Sequence, residues 1–144
     1  MSNFRRPNAD DYPDAARKNL EDGYVLFDAC RYDGAGYHAG YVVECVLKTL
    51  AQLENRFYWT HDLCNLSRNV LAFLAAPLGT PQSAKYLKCL PTTLRYGNPP
   101  SGWQETLRYC TEGVIDETLA TEWLLEADRL YQGVVVQMRK DGVV

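Results

Sequence analysis

The clearest pattern in this chain is a run of small residues followed by a wide apolar face, between positions 33 and 50. Glycines and alanines crowd its first half, and valines and leucines fill its second half. A glycine within a helix costs up to about 1 kcal/mol relative to alanine, so such a run suits a helix that another element approaches closely. Glu44 and Lys48 stand in the favourable order for an i,i+4 ion pair. The pattern predicts the central helix of a small helical domain.

Apolar residues at helical spacing predict further helices on both sides of this run. We expect a first helix from about Tyr12 to Cys30, with Pro13 in its first turn, and a central helix that ends near Leu53. Thr60 is the expected cap of a third helix. The third helix should bury Leu63, Leu66, Val70 and Phe73 and end at Pro77 and Gly79.

The second half of the chain reads as short helices, one long loop and one long helix. Short helices are expected after Thr80 and after Trp103, and residues 92–102 form the clearest loop. A last helix is predicted from Asp116 to about Lys140, ended by Gly142. Residues 134–136 are three valines, but they fit the helical period better than a strand.

The connection between the first two helices is short, which makes them antiparallel neighbours. Asp33 is a plausible cap for the second helix, and the contact between the two helices should use the small residues. We therefore predict an all-α fold of four to five helices, with residues 1–144 as a single domain.

Composition adds limits on partners and compartment. The net charge of −3 argues against non-specific coating of nucleic acid, although a local basic patch stays possible. No apolar run reaches the ~20 residues of a membrane span, and the amino terminus lacks the apolar segment of a signal peptide. Five cysteines without paired spacing suggest reduced thiols. We expect a cytoplasmic protein.

Neither a metal nor a cofactor is expected from the sequence. His61 and Cys64 could share a helical face, but nothing nearby supplies the remaining ligands of a closed zinc site.

Residues 16–63 resemble the HEPN (higher eukaryotes and prokaryotes nucleotide-binding) family. The pattern of that family is similar to Arg31-Tyr32, then Ala39-Gly40-Tyr41, Glu44 and Leu47-Lys48, then His61-Asp62-Leu63. The resemblance implies an up-and-down bundle of four to five helices that is often a homodimer and that lies beside or regulates nucleotide-handling enzymes. Many members pair with a small nucleotidyltransferase in toxin–antitoxin or defence systems, and others are metal-independent ribonucleases.

The nuclease members resemble one another in an Arg followed by four to six residues and a His. Imidazole can move protons near neutral pH, and guanidinium can stabilise the phosphate as it gains charge. Here Arg56 with His61 and Arg31 with His38 fit the spacing, but chance alone predicts about 0.4 matches. The catalytic pair of the family lies in the later helices, and no histidine follows His61. The usual pair is therefore absent.

Two groups of residues are candidates for ligand contact. Glu44, Lys48 and His61 could line one polar notch between the second and third helices, although an ion pair and a locally bonded histidine are simpler readings. Arg95 and Tyr96 lie in the irregular loop, where Arg can bind phosphate and Tyr can stack on a base.

Three hypotheses remain open. The first is a HEPN-like homodimer that binds a nucleotide, RNA or a partner enzyme without efficient catalysis. The second is a metal-independent ribonuclease that uses Arg56 and His61, or Arg95 and Tyr96. The third is a structural dimerisation or adaptor bundle whose interface is anchored by tryptophans, namely Trp59, Trp103 and Trp123.

Overall fold

A computed structural model of the protein describes residues 2–75, 81–87, 91–92, 94 and 102–144. Its α-helices are α1 (Tyr12–Asp28), α2 (Tyr32–Leu53), α3 (Leu63–Leu74), α4 (Glu117–Tyr131) and α5 (Gln137–Lys140). Two 3₁₀ helices, Gln82–Lys85 and Glu105–Tyr109, lie between α3 and α4, and a π-helical turn, Gln132–Val136, joins α4 to α5. The described ranges contain helices and no strand, which confirms the all-α prediction and the helical reading of residues 134–136.

Three helices end in the same left-handed turn. At the end of α1, Cys30 has φ 57°, and the N–H of the next residue, Arg31, donates to the carbonyl of Leu26. Asn55 (φ 56°) and Gly142 (φ 71°) end α2 and α5 in the same way. This hydrogen-bond pattern satisfies carbonyls that a helix end leaves unpaired, and glycine is its usual residue. The predicted end at Gly142 is therefore confirmed.

The prediction that Asp33 caps α2 is wrong. Helix α2 begins at Tyr32, so Asp33 already lies in its first turn. The Asp33 carboxylate instead accepts hydrogen bonds from the backbone N–H groups of Gly113, at 2.6 Å, and Ile115, at 2.7 Å. A carboxylate that bonds to a segment distant in sequence fixes that segment on the helix, which spacing along the chain could not reveal.

The cap of α3 lies two residues after the predicted one. Asp62 accepts a hydrogen bond from the backbone N–H of Asn65 at 2.9 Å, as a capping side chain does. Thr60, the predicted cap, instead accepts a hydrogen bond from the N–H of Asp62 at 3.1 Å. Thr60 therefore positions the true cap.

Helix α2 is the centre of the structure, because it packs against α1, α3 and α4. Every residue from Val42 to Ala51 on α2 is buried, including Glu44 and Lys48. The core also holds Leu63, Leu66 and Val70 of α3, as predicted. The predicted Phe73 side chain, and Pro77 and Gly79 after it, lie outside the described residues.

The small residues of α2 make room for side chains from the second half of the chain. A Cβ built on Gly40 would lie 2.0 Å from Cε2 of Trp103, so the indole rests directly on the α2 backbone. A Cβ on Gly36 would lie 2.8 Å from Cδ1 of Ile115. The expectation that these glycines serve the contact between α1 and α2 is therefore wrong at both positions. Gly34 does face α1, at the side chain of Leu26.

Helix α4 also anchors the described part of the predicted loop. The carboxylate of Glu126 accepts hydrogen bonds from the backbone N–H of Thr92 and, at 3.1 Å, from that of Leu94. The carbonyl of Leu94 then accepts a hydrogen bond from the N–H of Trp103 at 3.1 Å.

Among the described helices, none has the length and apolar character that crossing a membrane would require.

Candidate functional site

A buried carboxylate joins α2 to the start of α3. Both oxygens of Glu44 are used: Oε1 accepts from Nζ of Lys48 at 2.7 Å, and Oε2 lies 2.9 Å from Nδ1 of His61. Glu44 is only 4% exposed, whereas the His61 side chain is 51% exposed. The structure thus brings together the three residues that the sequence placed in one polar notch, and it presents the imidazole at the surface.

The ammonium of Lys48 is held from two directions. Besides the Glu44 carboxylate, it lies 5.6 Å from the centroid of the Tyr12 ring on α1. Lys48 itself is 8% exposed, so its charge is removed from solvent together with that of Glu44. A buried ion pair of this kind is expensive to break, because removal of one partner leaves the other charge without compensation.

Aromatic side chains border the imidazole on the α2 side. The rings of Tyr41 and His61 meet edge to face, with centroids 6.1 Å apart. The hydroxyls of Tyr41 and Tyr37 share a hydrogen bond of 3.2 Å, and Nε1 of Trp103 donates to the Tyr37 carbonyl at 2.9 Å. Burial, reinforced by the hydrogen bond with Tyr37, raises the pKa of Tyr41. Tyr41 therefore stays a neutral phenol at physiological pH.

The hydrogen bond to Glu44 decides which nitrogen of His61 can meet a ligand. An ionised carboxylate only accepts hydrogen bonds, so Nδ1 must carry a hydrogen and donate it. In the part of the chain that the structure describes, no residue hydrogen-bonds Nε2. Nε2 is thus an acceptor when the ring is neutral and a donor when it is protonated. The arrangement can bind a phosphate or hydroxyl group, and it can move a proton.

Comparison with known proteins places this bundle in a family. The family model for the HEPN domain matches residues 9–135. The chain belongs to the HEPN family. No curated protein and no solved structure matches the chain. HEPN domains are generally related to nucleotides or RNA, and they often dimerise.

Three other residues of this HEPN domain were predicted as site residues, and their part in the cluster stays a prediction. Arg95 and Tyr96 lie outside the described residues. Arg56 is exposed in the link between α2 and α3, and its joint action with His61 stays a prediction. Nδ1 of His38 lies 2.9 Å from Oδ1 of Asn19, so this histidine of α2 is engaged with α1.

A cavity lined by described residues of this HEPN domain lies elsewhere, at the N-terminal end of α2. It encloses about 660 Å³ and is lined by both basic and acidic residues, among them Arg31, Asp33, Arg108 and Glu117. Neither Glu44 nor His61 lines it. We take the Glu44–His61 cluster as the candidate functional site, because none of the charged residues described as lining the cavity is buried, whereas Glu44 is buried and holds the imidazole of His61. Within the described ranges, no three His, Cys, Asp or Glu side chains are grouped to hold a metal.

Several residues of the cluster were not predicted as a unit. Tyr37, Tyr41, Glu44 and Lys48 follow one another at i, i+4, i+7 and i+11, which is one face of a helix. This spacing could have joined the tyrosines to the ion pair. The contact of Tyr12 with Lys48 could not have been found, because it depends on how α1 packs across α2.

Proposed function

We propose that this HEPN domain is a nucleotide- or RNA-binding module whose ligand meets the exposed imidazole of His61. The observation that carries the proposal is the hydrogen bond of 2.9 Å between Nδ1 of His61 and the buried Glu44 carboxylate. It fixes a half-exposed imidazole in one orientation before any ligand arrives. A side chain oriented in advance loses less conformational entropy on binding than a mobile one.

Family membership supports the class of ligand, because HEPN domains are generally related to nucleotides or RNA. The net charge of −3 supports a localised contact and disfavours broad electrostatic coating of nucleic acid. The cluster supplies an imidazole at the surface, with the ammonium of Lys48 behind it on the shared carboxylate.

The proposal is tested by fluorescence anisotropy with a labelled 12-nucleotide single-stranded RNA and, separately, by competition with AMP and UMP. We expect His61→Ala to weaken RNA binding by about tenfold or more, the effect of losing a hydrogen bond to a charged group. His38→Ala is the matched control, since it removes the other histidine of the chain. Absence of RNA and nucleotide binding by the native protein would refute the proposal, and so would equal binding by both variants.

A second candidate function is metal-independent RNA cleavage, which the Glu44–His61 hydrogen bond also favours. A carboxylate that fixes an imidazole tautomer leaves the other ring nitrogen free to take the proton of a 2′-hydroxyl. The 2′-oxygen then bonds to phosphorus, the bond from phosphorus to the 5′-oxygen breaks, and the leaving 5′-oxygen takes a proton from water. The guanidinium that stabilises the phosphate would come from Arg56, or the site would use Arg95 and Tyr96 instead. Cleavage of RNA in EDTA that is lost in His61→Ala would establish this function, and intact RNA would exclude it.

We further propose that the domain acts as a homodimer with a nucleotidyltransferase or other partner enzyme in a toxin–antitoxin or defence-type system. Membership of the HEPN family supports this assignment. The competing reading as a purely structural adaptor loses two of its three anchors, because Trp103 and Trp123 are buried in the core. Only Trp59 stays available to a partner, at 77% exposure.

A further inference from the structure

The most exposed large apolar side chain among the described residues is Trp59, at 77% exposure. It lies in the link between α2 and α3, and Phe57, 48% exposed, lies two residues before it. The other two tryptophans are 4% exposed or less. A group of exposed apolar side chains, unlike a single one, often marks an interaction site.

The two rings form a platform with one shared cation. The guanidinium carbon of Arg6 lies 4.7 Å from the centroid of Phe57 and 5.1 Å from that of Trp59. An Arg over an aromatic face is attracted by the ring quadrupole, by about 0.5–1 kcal/mol where the site is exposed. We call Arg6, Phe57 and Trp59 the aromatic platform.

The aromatic platform is fixed in place by the segment that precedes α1. The N–H of Arg6 donates to the Asp10 carbonyl at 2.8 Å, and its guanidinium lies 3.5 Å from the Asp10 carboxylate. Nε2 of Gln52, on α2, donates to the Phe4 carbonyl at 2.7 Å. The cation is therefore placed before a ligand binds, and Trp59 as a whole stays 77% exposed.

The side chains of the aromatic platform are of the types that bind single-stranded nucleic acid. Arg5 and Arg56 adjoin the platform in sequence, Arg6 is paired with Asp10, and Glu54 and Asp62 border residues 55–61. Aromatic rings among arginines are the groups that single-stranded RNA uses, for base stacking and for phosphate contact. Trp, Phe and Arg are also enriched at protein interfaces, and self-association is therefore one outcome of the test.

The aromatic platform adjoins the proposed site. Trp59 precedes His61 by two residues, so their Cα atoms are at most about 7 Å apart. We infer that Trp59 stacks on a base of single-stranded RNA whose adjacent phosphate or 2′-hydroxyl meets His61. This inference rests on the proposed function and extends it, because it selects single-stranded RNA over a free nucleotide and adds Trp59, Phe57 and Arg6 to the binding surface.

Tryptophan fluorescence offers a direct test, because Trp59 is the one tryptophan of the chain that is open to solvent. Titration with the 12-nucleotide single-stranded RNA is expected to quench its emission and to protect it from acrylamide. Trp59→Ala should weaken RNA binding by roughly 5- to 150-fold, the range for loss of one stacked base, and Trp59→Phe should restore most of the affinity. Leu125→Ala, which truncates an exposed apolar residue on α4, is the control and should bind as the native protein does.

The outcomes separate this inference from the proposed function. RNA that binds the native protein and Trp59→Ala equally, while His61→Ala is weakened, would overturn the aromatic platform and leave the proposed function intact. Absence of all RNA binding would overturn both. Loss of self-association in Trp59→Ala at unchanged RNA affinity, measured by sedimentation velocity, would assign Trp59 to a protein interface and also refute the inference. A duplex RNA that binds as tightly as the single strand would contradict base stacking.

Discussion

Replacement of Glu44 separates the stability of the site from its function. Glu44→Leu removes the carboxylate that holds both Lys48 and His61, and it leaves the ammonium of Lys48, 8% exposed, without a counter-charge. Glu44→Leu/Lys48→Met removes both charges and replaces them with apolar side chains of similar length. The single and double variants therefore differ in the buried unpaired charge.

The geometry sets the expected magnitudes. Removal of one partner from a buried ion pair costs about 3–5 kcal/mol, because the remaining charge is desolvated and uncompensated. Replacement of both partners by apolar residues is often neutral or stabilising. The double variant should therefore recover most of the stability that Glu44→Leu loses. Neither variant can orient His61, so both should bind RNA about as weakly as His61→Ala does.

Urea unfolding followed by circular dichroism measures the stability, and fluorescence anisotropy measures the RNA affinity. Two results would refute the reasoning. If Glu44→Leu were as stable as the native protein, Glu44 and Lys48 would not form a buried ion pair. If the double variant were stable and still bound RNA with native affinity, the Glu44 carboxylate would not be needed to position His61.

Three further predictions concern packing, a helix end and pH. Gly40→Ala should destabilise the protein by about 1–3 kcal/mol in urea unfolding, because the new Cβ would overlap the indole ring of Trp103. Gly133→Ala is the control and should be neutral or slightly stabilising, because a Cβ at Gly133 would have no neighbouring atom within 4 Å. Cys30→Gly should stabilise the protein by about 1 kcal/mol in the same assay because it relieves a residue at φ 57°, and a loss of stability would contradict this account. Burial lowers the pKa of His38 in the folded protein below its usual value of 6.5. As the pH falls below 6.5, the His38 imidazole therefore binds a proton more readily in the unfolded chain than in the folded protein, and the free energy of unfolding should decrease. His38→Gln should flatten this dependence, measured as urea midpoints between pH 5 and pH 8, and an unchanged slope would show that His38 is not its source.

The sequence predicted those features that depend on local spacing. The helices on either side of the short Arg31 connection follow from periodic apolar residues, and the Glu44–Lys48 pair follows from their i,i+4 spacing. The notch with His61 could be anticipated because the start of α3 must return to α2 after a short link. These inferences need only the geometry of one helix and its nearest neighbour.

Features that depend on distant packing could not be predicted. Trp103 against Gly40 and the hydrogen bonds of Asp33 to Gly113 and Ile115 join segments more than 60 residues apart. The aromatic platform is similar, because Arg6 reaches its rings only after the chain before α1 folds back along α2. No periodicity encodes such contacts.

The measurement that tests the central claim most directly is an NMR titration of the histidine side chains. The chain has two histidines, so a ¹H–¹³C spectrum of labelled protein holds two imidazole Cε1–H signals. During titration with the single-stranded 12-nucleotide RNA in EDTA, the signal of His61 should shift and saturate while that of the half-buried His38 stays in place. If RNA bound while the His61 signal did not move, or if no RNA bound at all, the account of this site would be wrong.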